Sequence, residues 1–171
     1  SGTFELDGGS WDVDNNVWLV GDDSEVLVID APHDAPAIIA AIAGRTVTAI
    51  VLTHGHNDHI NAAVELAAAS GAEVWFPPAD RMLWDAEHES PPDQELHTSA
   101  TFDVAGAVLR AGPTPGHSPG STCRSSAALG AAFSGDPLFC GGPGADGPAY
   151  SARDTNIGAA PRRTSTPTAE H

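Results

Sequence analysis

Val47-Thr48-Ala49-Ile50-Val51-Leu52 runs directly into Thr53-His54-Gly55-His56-Asn57-Asp58-His59. The first stretch reads as a buried strand, and the second carries three histidines and a carboxylate in seven residues. Imidazole and carboxylate are common protein ligands for zinc and related first-row metals. His54 and His56 stand two apart at a strand end, so in an extended backbone both project to one side and can meet one ion. Asp58 and His59 come after the chain has turned into a helix. Their side chains leave in other directions and suit a second ion.

Before this stretch, Asn16 to Val20 and Glu25 to Asp30 are strand-like, and the turn residues Gly21-Asp22-Asp23-Ser24 join them as a hairpin. Asp34, an early proline and apolar residues at 38, 39 and 42 predict a short helix that stops at Gly44. After the cluster, Ile60, Ala63, Val64 and Ala67 recur at helical spacing, with Asn57 or Asp58 as cap and Gly71 as stop. Glu73 to Phe76 follows as a strand. Strands alternating with helices predict an α/β layered domain. Pro77 to Ala100, rich in proline and acid, reads as a surface excursion or lid. Val104, Val108 and Leu109 mark further strand material, as do 121–127 and 129–133.

The 171 residues suffice for one domain with a hydrophobic core. No apolar run approaches the roughly 20 residues of a membrane helix, and Ser1 to Gly9 lacks a signal-peptide pattern. The net charge of −16, with arginine as the sole basic residue type besides histidine, opposes a nucleic-acid partner. Cys123 and Cys140 form no Cys-x-x-Cys pair and read as free thiols, which places the protein in the cytoplasm. From Gly141 the chain becomes Gly- and Pro-rich. Residues 148–171 read as an atypical, poorly ordered tail behind a single domain at 1–147.

Two later segments belong with the cluster. Thr114-Pro115-Gly116-His117-Ser118-Pro119-Gly120 holds one histidine in a stiff turn, and Ser134-Gly135-Asp136 ends a strand on a carboxylate. Taken with His54-x-His56-x-Asp58-His59, these motifs resemble the metallo-β-lactamase superfamily, nearest to its glyoxalase II-like (hydroxyacylglutathione hydrolase-like) branch. The likeness runs from about Asn16 to Gly144.

The resemblance implies an αββα sandwich, with His54, His56 and His117 on a first metal, Asp58 and His59 on a second, and Asp136 bridging them. It implies zinc, one or two ions, with iron or manganese as alternatives. The implied reaction is attack of a metal-bound hydroxide on a thioester or related ester carbonyl of a small acyl substrate, with Asp58 orienting the nucleophile. β-Lactamase or lactonase activity, or a metal-binding remnant without the second metal, are the other readings. The chain departs from the family pattern at Asn61-Ala62-Ala63, at Pro137 and in lacking a late Gly-His-Gly. Its tail reads as truncated or altered, with His171 as the one late histidine. Loss of closing elements would favour self-association through an exposed sheet edge or apolar face.

The remaining chemistry-bearing side chains have blander readings. His33, in the loop after a strand, serves the start of a helix, with facing the site as the alternative. His88 and His97 are surface residues. Trp84 is packing with a possible place along a substrate, Asp30 supports a loop, and Cys140 is a small side chain near Asp136.

Overall fold

The architecture follows from β4 (Glu25–Ile29) and β5 (Thr46–Val51) in a computed structural model that describes residues 2–6, 9–115, 117–133, 138–139 and 142–143. Val26, Leu27, Val28 and Ile29 are all fully buried, as a strand covered on both faces requires. Their side chains alternate between two cores. Val26 and Val28 join the helix-side cluster, whereas Leu27 and Ile29 face the second sheet. Burying each such side chain contributes about 1.5–3 kcal/mol.

The first sheet has the order β3–β4–β5–β6–β7, with β3 (Trp18–Gly21), β6 (Val74–Phe76) and β7 (Gln94–Glu95). β3 and β4 are antiparallel, a hairpin in the register Trp18↔Ile29, and the remaining pairs are parallel. α1 (Ala35–Ile42) crosses from β4 to β5, capped by Asp34 Oδ1 on the Ala37 amide at 2.9 Å. α2 (Asn57–Ile60) and α3 (Ala63–Ser70) cross from β5 to β6. Parallel neighbours need such crossovers. The helix expected from Asn57 onward is interrupted at Asn61–Ala62. There Ala62 N–H leaves the helix pattern to donate to Ala31 O at 3.0 Å.

The second sheet is antiparallel, in the order β11–β10–β9–β8: β8 (Thr101–Val104), β9 (Ala107–Pro113), β10 (Thr122–Ser126) and β11 (Ala131–Phe133). Phe102, Val104, Leu109 and Ala111 pack against Leu27, Ile29, Ala49 and Val51 of the first sheet. The result is helices, sheet, sheet. Among the described residues, no helix covers the second sheet's outer face. Two hairpins complete the strands: β1 (Gly2–Leu6) with β2 (Gly9–Val13), which the polar N-terminus had concealed, and β12 (Leu138–Phe139) with β13 (Gly142–Pro143). The boundary expected at 147, the tail beyond it and Cys140 lie outside the described residues.

The stretch from Pro77 to Ala100 is more regular than its sequence suggests. It contains α4 (Arg81–Glu87), whose Trp84 is wholly buried against Phe76, ring centroids 5.1 Å apart. Trp84 Nε1 donates to Ser90 O at 2.7 Å, which satisfies the polar end of a core side chain. His88, expected at the surface, is half-buried, with its Nε2 2.9 Å from Ile60 O. His97 is exposed.

Candidate metal centre

The site stands at the carboxyl end of β5, where parallel sheets present their loops. Thr53 to His56 are buried, although the chain has left the strand, because other loops pack over them. The 114–120 loop joins β9 to β10 and brings His117 from the second sheet. Thr122 N–H and Oγ1 both donate to Thr53 O, at 2.8 and 3.0 Å, which fastens one loop to the other.

One ring nitrogen from each of His54, His56 and His117 lies within 4.8 Å of the others, and all three residues are buried. His56 Nδ1 and His117 Nε2 are 3.0 Å apart. The rings stand edge to face, with His54–His56 centroids at 4.8 Å and His54–His117 at 4.9 Å. Asp58 and His59 sit beside them, with His59 Nε2 3.8 Å from Asp58 Oδ2. The structure therefore gathers five of the six ligand candidates read from the sequence. Asp136 lies outside the described residues, as does His171.

Asp30 sets the ring tautomers. Its Oδ1 accepts from Thr53 N–H at 2.7 Å, and its Oδ2 accepts from Thr53 Oγ1 at 2.8 Å and from His59 Nδ1 at 2.9 Å. With Nδ1 protonated, His59 carries a lone pair on Nε2. The Thr53 hydroxyl has given its one proton to Asp30, so it accepts from His54 Nδ1 at 3.0 Å. His54 Nε2 therefore also carries a lone pair. A neutral imidazole with its second nitrogen tied to a carboxylate or its relay is the form that binds a metal. The donor set thus fits a divalent cation. Asp30 reaches this position with φ +63°, a left-handed conformation that aspartate tolerates.

A second carboxylate ties the loops together. Asp80 Oδ2 accepts from Gly55 N–H at 2.9 Å and Ser118 Oγ at 2.6 Å, and Oδ1 accepts from Gly120 N–H at 2.7 Å. Burial pushes the Asp80 pKa up, while the Ser118, Gly120 and Gly55 donors act against that shift. Asp80 occupies the N-cap position of α4, yet its side chain makes no cap bond there. Arg124, fully buried on β10, donates to Leu52 O at 3.2 Å and Cys123 O at 3.1 Å. Desolvation lowers its pKa to about 10, against the opposing field of Asp30, so it remains a cation at neutral pH.

Asn15 was not singled out from the sequence. Its side-chain nitrogen stands 2.8 Å from both Asp58 Oδ2 and His59 Nε2. Nothing local marks it, because a polar residue between two strands is ordinary. His33 also lies here, through Asn15, rather than serving only the start of α1.

Residues 11–166 match the metallo-β-lactamase superfamily. The chain belongs to this superfamily. It is 38% identical over 133 residues to a hydroxyacylglutathione hydrolase of Acidiphilium cryptum, covering 77% of this chain and 52% of that protein. A protein of the same name from Alkalilimnicola ehrlichii is 40% identical over 139 residues, covering 77% and 50%. The chain thus spans about half the length of the curated relatives it matches. Among solved structures, BLEG-1 B3 metallo-β-lactamase superposes with a TM-score of 0.79 at 23% identity, covering 92% of this chain and 82% of that one. TTHA1623 in a di-iron-bound form gives 0.71 at 24%, covering 85% and 78%. At these identities the structural matches speak to the fold alone. They agree with the layered architecture expected from the motifs. No described helix of this metallo-β-lactamase-fold chain is long and apolar enough to cross a membrane.

Proposed function

We propose that this chain is a zinc-dependent hydrolase acting on a thioester or related ester of a small acyl substrate. The observation that carries the reading is the convergence of one nitrogen from each of the buried His54, His56 and His117 within 4.8 Å. The hydroxyacylglutathione hydrolase relatives, at 38–40% identity, support a thioester over other acyl groups.

His54, His56 and His117 would hold the first cation, and Asp58 and His59 a second, with Asp136 between them. A bound divalent cation supplies Lewis-acid polarisation of a carbonyl and acidification of a water molecule. The protein's part is positional. Asp30 keeps protons on Nδ1 of His59 and, through Thr53, on Nδ1 of His54, so that Nε2 of each faces the site. Asp80 and Thr122 keep the His117 loop against the His54–His56 loop. Asp58 places a carboxylate where it can accept a proton from an attacking water. The net charge of −16 disfavours nucleic acid as substrate. The buried Cys123 thiol is consistent with a reducing compartment such as the cytoplasm.

The test is metal analysis of the purified protein together with turnover of a panel of thioesters, esters, lactones and β-lactams. The expected result is bound zinc and thioester hydrolysis, both lost in His56→Ala. Protein without metal and without turnover on any member of the panel would sink the reading, and preferential turnover of β-lactams would redirect it.

A further inference from the structure

The side-chain amide of Asn15 stands between the two atoms that a second cation would share. Its Nδ2 is 2.8 Å from Asp58 Oδ2 and 2.8 Å from His59 Nε2. An amide carries two N–H donors on nitrogen and lone pairs only on oxygen, so the end that faces the pair decides whether Asn15 can ligate or only donate.

That choice is settled by a chain of hydrogen bonds starting at a backbone group. His33 N–H donates to Asn61 Oδ1 at 2.6 Å, and a backbone amide has no alternative role. The other end of the Asn61 amide, Nδ2, therefore faces His33 Nδ1, at 3.3 Å, and donates to it. Burial holds His33 below the ordinary imidazole pKa, so the ring is neutral at neutral pH and carries its one proton on Nε2. His33 Nε2 donates to Asn15 Oδ1 at 3.0 Å. The oxygen of Asn15 is thereby engaged, and its nitrogen is turned toward Asp58 and His59. At the far end, Asp30 takes the Nδ1 proton of His59 at 2.9 Å, which leaves His59 Nε2 as the acceptor that Asn15 needs. Every donor in the chain from Asn61 to Asp30 meets an acceptor, and reversing the Asn15 amide would break the match at both of its ends.

We propose that Asn15, oriented by His33 and Asn61, is a gate on the second metal position, its amide nitrogen standing in for the cation between Asp58 and His59. The inference rests on the reading of Asp58 and His59 as second-metal ligands. A second cation must displace two N–H donors and break the bond to His33, whereas the position formed by His54, His56 and His117 carries no such cost from Asn15. The chain accordingly fills its second position weakly.

The experiment is titration of metal-free protein with Zn2+ against a chelating indicator, resolving the first and second equivalents, with far-UV circular dichroism as the check on folding. Asn15→Ala removes the gate. His33→Gly frees the Asn15 amide to turn its oxygen to the cation, and glycine suits the φ of +56° at that position. The parent is expected to bind a tight first and a weak second equivalent. Each variant should tighten the second about tenfold and leave the first unchanged, the scale on which groups supporting metal ligands act. A merely structural role would weaken binding in both variants. If Asn15→Ala folds poorly, His33→Gly carries the same expectation. An unchanged or weakened second equivalent in the variants, or two equally tight equivalents in the parent, overturns the gate alone. Failure of the parent to bind even a first equivalent overturns the metal reading and the gate with it.

Discussion

Asp80 approaches Gly120 so closely that a β-carbon on Gly120 would stand 2.7 Å from Asp80 Cγ and 2.9 Å from both carboxylate oxygens. The same side chain crowds Gly55, where a β-carbon would fall 2.8 Å from Asp80 Cβ. The glycines of His54-Gly55-His56 and Ser118-Pro119-Gly120 are thus required by one carboxylate that binds both loops. Asp80→Asn presents an N–H to at least one of three donors. Each buried donor left unsatisfied costs about 1–3 kcal/mol. The variant should unfold at lower urea concentration and bind its first Zn2+ about 10–100-fold more weakly, in line with other groups that support metal ligands. Parent-like metal affinity in a folded Asp80→Asn protein would count against the tie.

Asp30 governs two rings at once, which makes a tautomer prediction. In Asp30→Asn the amide cannot accept from Thr53 N–H, Thr53 Oγ1 and His59 Nδ1 together. Nitrogen-15 NMR of the imidazoles should show Nδ1 of His59 protonated in the parent and a mixture of tautomers in the variant. Zinc affinity should fall with it. A parent spectrum with His59 protonated on Nε2 would contradict the network.

Cys123 is buried, and burial pushes its thiol pKa up, with Arg124 opposing. A raised thiol pKa leaves less thiolate at neutral pH than in a free cysteine, and the thiolate is the reactive form. Peptide-resolved mass spectrometry after iodoacetamide treatment at neutral pH should find Cys123 unmodified in the native protein and alkylated in urea. Rapid native alkylation would contradict this.

Trp84 separates packing from a place along the substrate. Trp84→Phe keeps most of the apolar contact with Phe76 but abandons the bond to Ser90 O, and should cost about 0.5–1.5 kcal/mol. Trp84→Ala empties the site and should cost about 3–5 kcal/mol. Urea denaturation measures both. First-equivalent zinc affinity should be unchanged in Trp84→Phe, and a selective loss of thioester KM without loss of stability would return Trp84 to the substrate.

Much of the fold was legible because its signals are local. Val26 to Ile29 and Ala49 to Leu52 are continuous apolar runs, Asp34 and Pro36 announce α1, and Gly71 closes α3 with φ +73°. α4 was missed because Trp84 is its one fully buried residue and the apolar Met82 is exposed, which leaves little periodicity to read. The first hairpin was missed because the alternation in Phe4-Glu5-Leu6 and Trp11-Asp12-Val13 is too short to stand out in the sequence.

For the site, the residue types and spacing around His54 and the later His117 were enough to name candidate ligands, since metal coordination demands particular donor atoms that few other arrangements supply. How those candidates are held was not legible beyond the loop support read for Asp30. Asp30, Asp80, Asn15, His33 and Arg124 act across separations of roughly 20 to 70 residues, through hydrogen bonds that no local pattern encodes. The sequence by itself determined which side chains could bind metal and at the end of which strand they stand. Only the tertiary structure decided which nitrogen of each imidazole faces the site and which end of Asn15 faces Asp58, because a proton's place depends on partners brought together by folding.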